Sequence, residues 1–356
     1  MRVTREDVAR LAGVSAATVS YVINNGPRPV AEKTRKKVLA AIEQLDYHPS
    51  AIAQSLKTQR THSVGIIVSD ILNPILAAIA KGAEDLLLAQ GYSLTACNSD
   101  ESPERELMWL RMLVKRRMDG LVLLPSGGNY PFLFSLVRSG QTMVLIDRQI
   151  EGLNADCVLF DNKRGAYEAV SHLIALGHSR IGFLNLPSFL TPGHERRRGY
   201  ELALQDAGLH PVPELIKEGS FKAQESSILA RQLLDISPPP TAIFVASNRL
   251  AQGVLWQVKA RRLRMPDDLA LCVFDDVDFY EYTTPSITAV SYDTRAMSKA
   301  IVQFLVERMS GFYTGIPRVE RIPCRLQVRE STAGEGYSSC ASEPFGEQRV
   351  QGVVHP

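Results

Sequence analysis

Apolar residues in the first 48 positions recur at helical spacing, in three short bursts divided by turn residues. Thr4-Arg5-Glu6-Asp7 reads as a capping-box start with acids in the first turn. Val8, Leu11 and Ala12 follow as an apolar stripe, and Gly13 ends the first helix. Ser15 is suited to cap a second helix that runs through Asn24, with Val19, Val22 and Ile23 on its inner face. The polar stretch Asn25-Gly26-Pro27-Arg28-Pro29 breaks the pattern. A third helix then packs through Val38, Leu39, Ile42 and Leu45 while showing Lys33, Arg35, Lys36 and Lys37 to solvent. Residues 50–57 are helix-compatible but too few to hold a helix alone in water, and 58–62 read as a polar linker.

The pattern changes after residue 62. Eight short continuous apolar runs appear: Val64–Val68, Leu94–Cys97, Gly120–Leu124, Met143–Ile146, Val158–Phe160, Arg180–Leu184, Ala242–Val245 and Leu269–Phe274. Amphipathic stretches alternate with them at 75–90, 103–117, 164–176, 196–207, 224–235, 249–262 and 295–309. Buried strands alternating with amphipathic helices predict an α/β architecture, with parallel sheets covered on both faces. There are too many strands for one typical sheet, so two lobes are expected. The tail, 334–356, mixes Gly, Ser, Glu and Pro and predicts disorder.

Composition alters this picture in one respect. The chain of 356 residues is 45% hydrophobic and 22% charged, with a net charge of only +2. Residues 1–60, however, carry ten Lys/Arg against five Asp/Glu, and the remainder thirty against thirty-three. A basic head on a mildly acidic body points to a polyanion as the head's partner. The start lacks the apolar core of a signal peptide and no run reaches membrane-spanning length, so a cytoplasmic protein without a membrane partner is expected. Cys97, Cys157, Cys272, Cys324 and Cys340 form no CxxC pair and read as reduced thiols, giving neither a disulfide frame nor a metal site.

A helix, a glycine turn and a second helix opening on Ser and Thr outline a helix-turn-helix. Ser15, Thr18 and Ser20 lie at the end of the second helix that would meet phosphates, where the helix dipole favours anions. A capped three-helix bundle of any function fits these few residues equally well.

The resemblance becomes specific over longer runs. Val3–Ser20 (VTREDVARLAGVSAATVS) and Thr34–Lys57 (TRKKVLAAIEQLDYHPSAIAQSLK) are similar to the opening of the LacI/GalR family of transcription regulators. The similarity continues to Val328–Ala333 (VRESTA). It implies a DNA-binding head at 1–48, a hinge helix and linker at 49–62, and a two-lobed effector domain of the periplasmic-binding-protein type at 63–333. Lobe crossovers are then expected near 161–163, 290–293 and 322–324. The family's base-reading positions fall on Ala16, Ala17 and Tyr21, with Thr4, Ser15, Thr18, Ser20 and Asn24 also at the DNA. Two alanines offer only methyl contacts, and Tyr21 stands where arginine is common, which removes a bidentate guanine contact. The hinge match places Ser50, Ala53, Leu56 and Lys57 in the minor groove, with Leu56 as the wedge at the central base step. Gln54 stands where the family often has arginine.

In the effector domain the resemblance, together with strand-end motifs, points to Asn73, Asp147, Arg148, Asp161, Arg196, Phe221, Ser247, Asn248 and Asp275. They supply the donor and acceptor pairs and the aromatic face that a sugar needs. Taken singly, each is also a common loop-cap or helix-start residue, and Asp161-Asn162 suits the cap of the next helix. Three departures bear on the ligand. Ser247-Asn248 replaces the usual Asn-Asp pair, Ile75-Leu76 replaces aromatics, and Arg148, Arg196 and Arg249 raise the positive charge of the cleft. Together they predict an acidic sugar or sugar phosphate. The expected protein is thus a homodimeric repressor, paired along 75–90 and 249–262, that binds a pseudo-palindromic operator in double-stranded DNA and needs no cofactor. The tail carries no apolar heptads, so no coiled-coil tetramer is expected. A sugar-transport protein would share the lobes but lack the head. No nucleophile elbow, metal spacing or P-loop suggests an enzyme.

Overall fold

The computed structural model describes residues 3–23, 29–48 and 60–333. The chain divides between His62 and Ser63 into two compact units. In the first, α1 (Arg5–Ala12), α2 (Ala16–Ile23) and α3 (Glu32–Gln44) enclose Val8, Ala9, Ala12, Val19, Val22, Val38 and Ala41. The Thr4 hydroxyl accepts from the Asp7 amide while the Asp7 carboxylate accepts from the Thr4 amide, a closed capping box. Gly13 ends α1 at φ +65°, a left-handed conformation that costs a residue with a Cβ more than glycine. Ser15 accepts from the Thr18 amide at the start of α2. Two expectations fail in this unit. Leu11 and Leu39 lie outside the core, 46% and 49% exposed, and the small Ala9 and Ala41 take the inner positions. Three helices this short approach so closely that alanines fill the space between them.

The second unit runs β1 (Ser63–Val68), α4 (Pro74–Leu88), β2 (Ser93–Asn98), α5 (Pro103–Lys115), β3 (Gly120–Leu123), α6 (Tyr130–Arg138), β4 (Thr142–Ile146), β5 (Asp156–Phe160) and α7 (Asn162–Ala175). It continues β6 (Ile181–Asn185), α8 (Thr191–Asp206), β7 (Ile216–Glu218), α9 (Ala223–Leu234), β8 (Ala242–Val245), α10 (Asn248–Arg261), β9 (Ala270–Phe274) and β10 (Thr288–Tyr292). The last elements are α11 (Thr294–Ser310), β11 (Val319–Ile322), β12 (Cys324–Gln327) and α12 (Glu330–Ala333).

These strands form two six-stranded sheets, ordered β11-β5-β4-β3-β1-β2 and β12-β10-β9-β8-β6-β7. Every pairing is parallel except β10 with β12. Each sheet is the centre of one lobe. The chain passes between lobes three times: from β5 into α7, from β10 into α11, and from β11 into β12. The eight apolar runs are all strands. Four strands carried no such signal, since β7, β10, β11 and β12 are edge or crossover strands with polar residues such as Lys217, Ser291, Glu320 and Arg325. α6 was also unforeseen.

The candidate effector cleft and nucleic-acid interface

Parallel sheets gather their strand ends on one side, and both lobes turn those ends toward a shared cleft. Two aspartates sit there in matching positions. Asp147 follows β4 at φ +60° and Asp275 follows β9 at φ +77°. Backbone held in the left-handed region at a non-glycine residue is costly, and such strain gathers at binding sites.

Asn73, Asp147, Arg148, Arg196, Phe221, Ser247 and Asp275 line one cavity in this cleft. Asp161 and Asn248 lie outside that lining. The Asp161 carboxylate accepts from the Arg164 amide and caps α7. Asn248 donates through Nδ2 to Asn73 Oδ1 at 3.0 Å, across the lobes. Several further lining groups escaped sequence reasoning, Glu101 and Tyr292 above all. Tyr292 lies on a strand without an apolar run, and Glu101 in the loop after β2, so neither belonged to a recognised motif.

The electrostatics correct the expectation of a cationic cleft. Arg148 is 4% exposed and is held bidentately by Glu101, both bonds 2.7 Å, and it also donates to the Pro125 carbonyl. Arg196 lies 3.6 Å from Asp275, stacks on Phe274 with 3.7 Å to the ring centre, and donates to the Ala246 carbonyl. Arg249 pairs with Asp70 at 3.0 Å, again across the lobes. Three guanidiniums thus face four carboxylates, and each guanidinium has a carboxylate of its own. The fourth, Asp147, has none within ion-pair distance. Burial pushes its pKa up, against the pull of Arg196 and Arg148, and its Oδ1 has no hydrogen-bond partner among the described residues. Nε of Arg148 and of Arg249 also lack partners. Phe221 lies 5.4 Å from the Arg148 guanidinium, so its ring closes one side of the cavity.

Both units of the chain match known families. Residues 4–50 match the profile described as bacterial regulatory proteins, lacI family. Residues 170–332 match the periplasmic binding protein-like domain. The HTH-type transcriptional repressor PurR of Aliivibrio fischeri (strain MJ11) is 36% identical, over 86% of this chain and 91% of that protein. Its counterpart in Haemophilus influenzae (strain PittEE) is 35% identical over 92% and 98%. The chain belongs to the LacI family. It is a DNA-binding transcriptional repressor of that family and not an enzyme.

Solved LacI-type structures agree in fold. A transcriptional regulator CelR–cellobiose complex is 31% identical with a TM-score of 0.70, covering 93% of this chain and 100% of that one. The Lac repressor dimer on operator with an anti-inducer is 24% identical, with a TM-score of 0.82 over 93% and 99%.

In the head of this LacI-family chain, Ala17 and Ser15 are exposed, while Thr18, Ser20 and Tyr21 are half-buried. Ala16 packs against the head's core, which limits how far its methyl reaches outward. The Ser15 and Thr18 hydroxyls lie 2.9 Å apart at the N-terminus of α2, and Thr4 spends its hydroxyl on the capping box. Asn24, Ser50, Ala53, Leu56, Lys57 and the tail 334–356 lie outside the described residues. Among the described residues no cluster of His, Cys, Asp and Glu could hold a metal ion, and no helix is long and apolar enough to cross a membrane. Cys97, Cys157, Cys272 and Cys324 are buried and free, and burial pushes the Cys157 and Cys324 thiols up to about 12, where they are unreactive.

Proposed function

We propose that the chain is a homodimeric repressor whose affinity for a pseudo-palindromic operator is set by a neutral, polyhydroxylated, sugar-like effector. In this reading residues 1–48 are the DNA-binding head, 49–62 the hinge helix and linker, and 63–333 the effector domain. Ala17 and Tyr21 read base edges, Ser15, Thr18 and Ser20 meet phosphates, and Leu56 and Lys57 work in the minor groove.

One observation carries the effector class: the cleft holds matched arginines and one carboxylate without an arginine of its own, Asp147, whose Oδ1 has no hydrogen-bond partner among the described residues. An anionic ligand would set its own charge against that carboxylate, and the positive charge of each arginine it meets is already balanced by Glu101, Asp70 or Asp275. A neutral polyol instead donates hydroxyls to Asp147 and accepts from the free Arg148 and Arg249 Nε groups, satisfying all three. The relatedness to a cellobiose-bound regulator and to a putative ribose operon repressor from Burkholderia thailandensis (30% identical, TM-score 0.70, covering 75% of this chain and 99% of that one) is in keeping with a sugar.

The dimer reading draws on exposed apolar residues along the expected helices. Leu86 and Leu88 on α4 and Trp256 on α10 are 37%, 68% and 64% exposed. Exposure on this scale marks a surface that associates.

Thermal-shift measurements test the effector class. D-Ribose and cellobiose are the neutral probes, D-glucuronate and glucose 6-phosphate the acidic ones. Stabilisation by a neutral probe alone is expected; stabilisation by acidic probes alone would overturn the neutral assignment. A salt-sensitive gel shift on two-fold symmetric duplexes, with and without the responding sugar, tests the repressor itself.

A further inference from the structure

The effector-facing groups are bonded to all three lobe crossovers. At the first crossover, Asn162 is fully buried as the opening residue of α7. Its Oδ1 accepts from Arg196 Nε at 2.9 Å. Its Nδ2 faces two acceptors, the Phe160 carbonyl at 3.3 Å and Glu195 Oε2 at 3.5 Å. Glu195 in turn accepts both guanidinium nitrogens of Arg321, at 2.7 and 3.0 Å. Arg321 belongs to β11, the strand that leads into the third crossover, and the Asp161 amide donates to the Ile322 carbonyl beside it at 2.9 Å. The second crossover joins through Tyr292. Its hydroxyl donates to Asp275 at 2.8 Å and its ring stacks on Phe160 with 3.7 Å between centres.

Backbone geometry makes the contact possible. Gly199 lies one turn beyond Arg196 on α8, and a Cβ there would meet the Lys163 carbonyl at 2.3 Å and the Ala166 Cβ at 2.8 Å. α8 therefore runs close against α7, so that neighbouring residues divide the work: Arg196 turns to the cleft and Glu195 to the crossover strand. Only a side chain that accepts and donates at once can join them. An amide does so; a carboxylate in its place would hold Arg196 and repel Glu195, and an apolar group would do neither.

We propose that Asn162 is a positioning residue that joins Arg196 to the crossovers, so that a change at the effector is passed to the lobe junction through the chain Arg196–Asn162–Glu195–Arg321. The proposal rests on the reading of the cleft as the effector site. Effector binding alters what Arg196 and Asp275 must satisfy, and neither can shift without pulling on a crossover. Movement of the crossovers changes the relation of the lobes, the element on which such switches act.

The test uses full-length N162A and N162D, with whichever of D-ribose, D-glucose and cellobiose most raises the Tm of the parent protein. N162A should weaken that sugar about tenfold, the scale of a lost hydrogen bond to a charged group. N162D keeps the acceptor for Arg196 and should bind the sugar within about threefold of the parent. The discriminating readout is the ratio of operator dissociation constants with and without saturating sugar. That ratio should collapse toward one in both variants, because the link to Glu195 is lost in each. A parental ratio in N162D, or a lowered Tm in N162A with the ratio intact, would show a merely structural asparagine and overturn the proposal. Should none of the sugars bind the parent protein, the effector class fails but the link is still decided by hydrogen exchange without ligand. N162A should then speed exchange of the peptide containing Arg321–Cys324 relative to β1, and unchanged exchange there would overturn the proposal as well.

Discussion

Asp147 concentrates the chemistry of the cleft in a single side chain. Burial raises its pKa, so over the range above the ordinary carboxylate value the folded chain keeps a proton that the unfolded chain has released. The ligand-free protein is therefore expected to lose stability as pH rises through that window. Sugar affinity should run in the opposite direction, strengthening with pH, because hydroxyls donate to the ionised form. Calorimetry in buffers of different ionisation enthalpy should detect proton release on binding. Asp147→Asn keeps the shape and removes the charge. It should raise the ligand-free Tm by about 2–4 °C and abolish the sugar-induced shift. An unchanged sugar response in that variant would remove Asp147 from the site.

At the scale of elements, local caps and long-range ion pairs contribute differently. The Thr4–Asp7 box satisfies amides at the start of α1, and Thr4→Ala should cost the head about 1 kcal/mol, read from its thermal transition. Asp156, fully buried at the head of β5, binds Arg308 from α11 and Arg318 from the segment before β11. Burial alone would raise its pKa, but the hydrogen bonds from Arg308 and Arg318 outweigh burial and hold it low. Its contribution to stability is therefore present above the unfolded carboxylate value and lost as pH falls through the lowered one. Asp156→Ala leaves Arg308 without a carboxylate and Arg318 with Glu307 alone, and should cost about 3 kcal/mol by denaturant unfolding. Sequence reasoning located β5 by its apolar run but had no means of pairing residue 156 with 308 and 318.

For the whole molecule, the described form has its lobes bonded to each other. Arg249 reaches Asp70, Asn248 reaches Asn73, and the Gln149 amide donates to Thr191 Oγ1 at 3.0 Å. Arg249→Ala removes one latch and one wall of the cavity, so small-angle scattering should show a more open effector domain and a weaker compaction by sugar. Assembly is a separate matter. Trp256→Glu puts a charge on the exposed face of α10 and should shift sedimentation toward the monomer while weakening operator binding, since two heads are needed for a two-fold site.

Periodicity and length-wide resemblance were enough to determine the class of this chain: a capped helix-turn-helix joined to alternating strands and helices, with Asp147 and Asp275 directly after strands. These features are local, because hydrophobic spacing, caps and motif order are written within a few residues of one another. Charge balance in the cleft was decided by tertiary structure alone. Counting Arg148, Arg196 and Arg249 suggested a site for an anion, whereas folding brought Glu101, Asp275 and Asp70 from distant loops to neutralise them. The edge and crossover strands and the Asn162 junction were equally hidden, since their partners lie up to 162 residues away in the chain. Coulomb pairing and hydrogen bonding act through space, and only the packed lobes set those distances.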